Sequence, residues 1–283
     1  MEKTLLLTIS YDGRPFSGWQ RQPSRRTVQG ELEEALSEIL RRPVKVDGCS
    51  RTDAGVHALG QCASFSGEIK IPTENLAYAL NNRLPGSIRI VECEEKPAGF
   101  HARFNSRGKT YLYRITTGPM KDPFRRDHVY HVTRPLDTER MRVAAGLIEG
   151  KHDFACFQAA GGQPRQTTVR TIYRLEVEER PWAPFSDMGL IGSAPAAGEA
   201  GRGSAGGESC GEEPAAAGRE IRLHVTGDGF LYNMVRIITG TLVDVGEGKL
   251  APEDIPAILA GGDRTRAGHT APARGLYLAR IYY

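Results

Sequence analysis

The sequence predicts an α+β protein in two halves, and three observations carry that prediction. Residues 1–104 read in the order β-α-β-β-α-β. Residues 105–283 repeat the outline loosely, with no repeat at the level of individual residues. No GxGxxG loop stands between a strand and a helix, so a doubly wound nucleotide-binding sheet is not indicated. The division into an N-terminal half, 1–104, and a C-terminal half, 105–283, follows from these patterns.

The elements of the first half can be justified in order. Residues 4–11 form a strand with Leu5, Leu7, Ile9 and Tyr11 on one face, and Asp12-Gly13 turns the chain. Thr27 is a good N-cap for a helix whose Val28, Leu32, Ala35, Leu36, Ile39 and Leu40 recur at helical spacing until Pro43. A short strand over 44–46 leads into the loop 48–55, and another strand covers 58–65. Thr73 is expected to cap a second helix with Leu76, Ala79 and Leu80 inward, and 87–93 is a strand. In the second half, strands are expected at 109–116, 171–178, 220–226 and 275–282, and helices at 138–149, 232–245 and 252–259. Residues 184–217 are dominated by Ala, Gly, Ser, Pro and Glu and lack either period; they read as a flexible insertion between two strands.

With 40% hydrophobic residues a large core can form, and a net charge of +3 permits an acidic partner without requiring one. No apolar run reaches the ~20 residues that span a bilayer. The opening Met-Glu-Lys-Thr-Leu-Leu-Leu-Thr has too short an apolar stretch for a signal peptide. The five cysteines are odd in number and form no CxxC, which speaks for a reduced, cytoplasmic protein without a zinc site.

Three segments carry candidate chemistry. Gly48-Cys49-Ser50-Arg51-Thr52-Asp53-Ala54-Gly55 is a loop of small residues around one acid. Small neighbours let a bulky ligand reach Asp53, and the adjacent Arg51 would hold it ionised; equally, Asp53 could hydrogen-bond its own backbone in a turn. The strand through Lys109-Thr110-Tyr111-Leu112-Tyr113-Arg114-Ile115 puts Tyr111, Tyr113 and Ile115 on one face. Such tyrosines either stack on unpaired bases or fill a core. Arg236 lies within an apolar helical run and needs a carboxylate partner or a route to solvent. Clusters at Arg21, Arg25 and Arg26, at Arg41 and Arg42, at Arg103 and Arg107, and at Arg125 and Arg126 suit either a phosphate backbone or a solvated face.

On these residues the chain resembles the tRNA pseudouridine synthase A family. The resemblance rests on Tyr11-Asp12-Gly13-x-x-Phe16-x-Gly18-Trp19-Gln20, Thr27-Val28-Gln29, the highly specific Arg51-Thr52-Asp53-Ala54-Gly55-Val56-His57-Ala58, the run 230–242, and Thr270-Ala271-Pro272-Ala273-x-Gly275-Leu276-Tyr277-Leu278. It implies two ferredoxin-like (RRM-like) α+β halves with largely antiparallel sheets around a central active-site cleft. It further implies isomerisation of uridine to pseudouridine in the tRNA anticodon stem-loop, at family positions 38, 39 and 40, by a homodimer. Asp53 takes the place of the nucleophile, and Tyr111 that of the tyrosine that stacks on the uracil and helps remove its C5 proton. Arg236 takes the place of the basic partner of the aspartate, and Arg51 that of the arginine that helps flip the nucleotide. An isomerisation moves no electrons out of the system, so no metal and no cofactor is expected. The insertion at 184–217 departs from compact family members. Two rival readings are a non-catalytic tRNA-binding or RNA-chaperoning dimer on the same fold, and a metal-dependent hydrolase using Asp53, His57 and His101.

Overall fold

A computed structural model describes residues 2–162, 166–182 and 218–283. The insertion expected at 184–217 lies outside the described residues.

The first half runs β1 (Glu2–Tyr11), α1 (Val28–Leu40), β2 (Asp47–Gly48), β3 (His57–Glu68), α2 (Thr73–Arg83) and β4 (Ile88–Lys96), which is the expected order. Thr27 does cap α1: its side chain accepts from the backbone N–H of Gly30, while Leu32 and Leu36 are fully buried. Two local expectations fail. Residues 44–46 are not a strand; pairing is confined to Asp47 and Gly48, against Ser64 and Ala63. Thr73 is the first helical residue of α2, Pro72 occupies the cap position, and no side-chain cap bond forms there. Proline supplies a fixed φ at that point in place of a capping oxygen.

The second half contains β5 (Gly108–Thr117), β6 (Tyr130–Val132), α3 (Thr138–Ile148), β7 (Gly150–Asp153), β8 (Val169–Trp182), β9 (Gly218–Gly227), α4 (Met234–Gly246), α5 (Ile255–Gly261) and β10 (Leu276–Tyr282). The short strands β6 and β7 carry no alternation of their own and escape a sequence reading. Helix α4 starts at Met234 and not at 232, because Asn233 adopts the left-handed conformation with φ 59°.

The strands form one sheet in the order β4-β1-β3-β10-β5-β9-β8-β7, with β2 on β3 and β6 on β5. Pairing is antiparallel except for β5 with β6 and β10 with β3. The last strand is therefore the seam. Tyr277 and Leu278 pair in parallel with His57 and Ala58, while β10 runs antiparallel to β5 on its other side. His57 reinforces the seam: its ring is stacked between His128 and Tyr277, and its Nε2 lies 3.1 Å from the carbonyl of Asp127.

A polar knot fastens β5 to β9. Glu220 is almost fully buried and accepts hydrogen bonds from Arg114 (2.9 Å), Arg222 (2.8 Å) and Arg125 (2.6 Å). Burial alone would raise its carboxyl; the three arginines outweigh burial and hold it at about 2, down from 4.5. Arg125, expected in a solvated or phosphate-facing loop, is thus an internal partner of Glu220.

Candidate active site

The segment 11–20 builds a cradle for the loop that carries Asp53. The hydroxyls of Tyr11 and Thr52 are hydrogen-bonded at 2.7 Å, and the N–H of Trp19 donates to the carbonyl of Thr52 at 3.0 Å. Gly18 has φ +92°, and a Cβ there would lie 2.6 Å from that same carbonyl, so both conformation and space demand glycine. The turn itself is closed by backbone, Val56 N–H to Asp53 carbonyl at 3.1 Å. The carboxylate of Asp53 faces the cleft and forms an ion pair at 3.7 Å with Arg236.

Arg236 sits in the first turn of α4, where the helix dipole disfavours a cation. Its Nε donates to the carbonyl of Ala271 at 2.7 Å and a terminal nitrogen donates to Asn233 at 2.8 Å. Segment 267–271 can lie this close to α4 because Gly240 leaves room; a Cβ there would meet the carbonyl of His269 at 1.7 Å. The fourth and fifth matching segments of the sequence, 230–242 and 270–278, are thus two sides of one clamp on the guanidinium.

Asp53 is about one-third exposed and Arg236 less so, at 34% and 18% of their side chains. Burial raises the Asp53 pKa above its ordinary value, and the attraction of Arg236 cancels only part of that rise. The structure corrects the expectation that Arg51 holds Asp53 ionised: the opposing charge is Arg236, while Arg51 is exposed and lines the cleft.

Tyr111 of β5 lines the same cleft. It is buried, packs edge-on against Phe230 with centroids 5.1 Å apart, and its hydroxyl lies 2.9 Å from the Ser50 hydroxyl. Burial pushes its pKa up to about 12, so it stays protonated at neutral pH. Lys109 Nζ donates to the carbonyl of Cys49 at 3.2 Å and to Ser50 Oγ at 3.4 Å. Tyr113, by contrast, is pure core: fully buried, its hydroxyl donates to the carbonyl of Pro272 at 2.6 Å. Of the two open readings of the tyrosine strand, Tyr113 takes the core one, whereas Tyr111, though buried, also lines the cleft.

All four candidate residues, Asp53, Tyr111, Arg236 and Arg51, line a single cleft of about 980 Å³. The hydrolase grouping does not gather. His101 lines the cleft, but His57 lies in the seam, its Nδ1 accepting from Gly13 N–H at 3.2 Å. Among the described residues, the one group with metal-like spacing is Asp12, His57 and His128, where Asp12 is already held by the Arg14 guanidinium. Ser50, Lys109, Phe230 and Asn233 support the site without having been singled out; the first three act through contacts between distant segments, and Asn233 through Arg236, three residues on.

Fold and site together define an α+β protein with a carboxylate–arginine pair in a large basic cleft. Comparison with known proteins makes this specific. A family model described as tRNA pseudouridine synthase matches residues 7–105 and 144–283. The chain is 45% identical over 281 residues to a tRNA pseudouridine synthase A of Ruminiclostridium cellulolyticum, covering 99% of this chain and 100% of that one. It is 40% identical to tRNA pseudouridine synthase A 2 of Clostridium tetani, with 100% of both chains covered. It is also 40% identical to the tRNA pseudouridine synthase A of Bacillus subtilis, over 99% and 98% of the two chains. The chain belongs to the tRNA pseudouridine synthase family, whose members are isomerases. Among the described residues, no helix is long and apolar enough to cross a membrane.

Proposed function

We propose that this protein isomerises uridine to pseudouridine in the anticodon stem-loop of tRNA, at positions 38, 39 and 40, with Asp53 as nucleophile. The observation that carries this reading is the placement of a partly desolvated carboxylate against a clamped arginine, in a cleft that a buried tyrosine also lines. The ionised Asp53 attacks either C1′ of the ribose or C6 of the uracil. The glycosidic N1–C1′ bond breaks, the base turns, C5 joins C1′ and the bond to Asp53 is released; the proton lost from C5 is balanced by one gained at N1. Reactant and product have the same atoms and electrons, so the reaction asks for no redox partner.

Arg236 stabilises the carboxylate against burial and fixes its direction. Tyr111 stacks on the uracil and takes part in moving the C5 proton. Because its hydroxyl is protonated, any proton it accepts must be matched by one it hands on, and Ser50 is its hydrogen-bonded neighbour. Arg51, exposed in the cleft, helps hold the target nucleotide out of its stack. The reading includes a homodimer in the cytoplasm, with the halves 1–104 and 105–283 contributing opposite walls: Asp53 from one, Tyr111 and Arg236 from the other.

The test is incubation with an unmodified tRNA transcript and mapping of the product. Pseudouridine in the anticodon stem-loop is expected, unaffected by a strong chelator. Modification elsewhere, or none, would overturn the assignment. Tyr111→Phe is expected to lower the single-turnover rate far more than tRNA affinity, since the ring remains and the hydroxyl is lost.

A further inference from the structure

The mouth of the cleft carries an aromatic side chain that the chemistry above does not use. Phe104 is 75% exposed, yet it lines the same cleft as Asp53. It belongs to the turn after β4, and that turn is held at every step. His101 N–H donates to the side chain of Asn105 at 2.8 Å, and Asn105 N–H donates back to the carbonyl of His101 at 3.0 Å. Buried Ala102 is pinned from both sides, its N–H to the Ser64 hydroxyl and its carbonyl to the Tyr283 hydroxyl. Arg103 N–H donates to the ring of His101 at 3.1 Å. The backbone on either side of Phe104 is thus fixed.

The surroundings of the ring are those of a stacking platform. The His101 ring lies 4.3 Å away by centroids, and the Arg103 guanidinium is 5.7 Å from the Phe104 centroid. Among the described residues, the cleft lining carries five basic side chains against two acids, Asp47 and Asp53. That charge favours a polyanion, and an exposed aromatic among basic groups fits the face of an unpaired base. Because the backbone beneath the ring is already held, stacking has only a side chain to order, which leaves more of the contact energy for affinity.

We propose that Phe104, backed by His101 and flanked by Arg103, is a binding subsite for an unpaired nucleobase next to the uridine that enters the cleft. This rests on the reading of the cleft as an RNA site. The platform receives the neighbour once the target nucleotide leaves the stack, replacing lost base–base stacking with base–phenyl stacking.

The experiment uses full-length protein carrying Asp53→Asn, so that no turnover occurs, and tRNA transcripts with 2-aminopurine on the 5′ or the 3′ side of the target uridine. Binding is expected to quench one of the two probes through Phe104. Phe104→Ala should abolish that quench and weaken binding about tenfold, while Phe104→Trp should restore both. In the otherwise unmodified enzyme, Phe104→Ala should raise KM with the saturating single-turnover rate held within about twofold. Equal quenching and equal affinity in the Ala variant would overturn the proposal. So would a loss of self-association on sedimentation without RNA, which would make Phe104 a contact between copies. A protein that binds and quenches but, with Asp53 present, forms no pseudouridine would sink the catalytic reading and leave the subsite standing.

Discussion

Two carboxylates in this molecule face arginines and reach opposite electrostatic states. Glu220 is buried between β5 and β9 with three guanidinium groups at 2.6–2.9 Å, and its pKa is driven down to about 2. Asp53 is more exposed, has Arg236 at 3.7 Å, and its pKa rises. The difference lies in how completely each oxygen is satisfied. Tight, multiple donors make a charge inert and tie strands together. A loose pair leaves a carboxylate incompletely solvated, with lone pairs free for an electrophile.

The sharpest way to break the comparison is to neutralise each acid in turn. Asp53→Asn should abolish pseudouridine formation, by a factor on the order of 10⁴ in single-turnover rate, with far-ultraviolet circular dichroism unchanged. Retention of a tenth of the rate would remove Asp53 from the chemistry. Glu220→Gln should do the reverse, keeping the rate per folded molecule while losing about 3 kcal/mol of stability, measured by urea melts at pH 7. The sign follows from the depressed pKa: the unfolded carboxyl binds protons more readily than the folded one. Glu220's contribution is therefore present above pH 4.5 and is lost as pH falls toward about 2. A Gln variant that melts with wild type at pH 7 would show that the three arginines do not stabilise the fold through this acid.

Smaller effects sharpen the picture. Arg236→Gln removes the charge that opposes burial at Asp53, so the Asp53 pKa should rise further. The acid limb of the pH–rate profile should move to higher pH, with a loss of about 10- to 100-fold at the wild-type optimum. An unmoved limb would mean that Asp53 does not set it. The smallest effect is on stability. Because Asp53 ionises less readily folded than unfolded, its ionisation opposes folding as pH rises through its raised pKa. At neutral pH Asp53→Asn should therefore melt slightly above wild type in calorimetry; a lower melting temperature would contradict the raised pKa.

Local features were legible in the sequence. The Thr27 cap with Leu32 and Leu36 behind it is written in a few adjacent residues, and so is the alternation that buries Tyr111 and Tyr113. Asp53, Arg51, Tyr111 and Arg236 each stand out singly in the sequence, but only the family's motifs join them into one site, since nothing near Arg236 in the chain names Asp53 as its partner. What stayed hidden depends on distance along the chain. Arg51 is next to the loop in sequence yet is not the charge that counters burial at Asp53, whereas Arg236 comes from α4. Arg125 looked like surface because its partner, Glu220, lies in another strand. The parallel seam of β10 with β3 rests on two residue pairs that no periodicity announces.

That seam bears on the order of events during synthesis. β10 leaves the ribosome after every other described strand, yet its place is between β3 and β5. Until it arrives, the Asp53 loop, which leads into β3, and Tyr111, on β5, belong to sheets with no shared neighbour. The nascent chain thus carries the residues of both walls of the cleft before the strand that joins their two sheets has been made. Chains ending at residue 275 should show protease sensitivity across 49–56 that the full-length protein lacks.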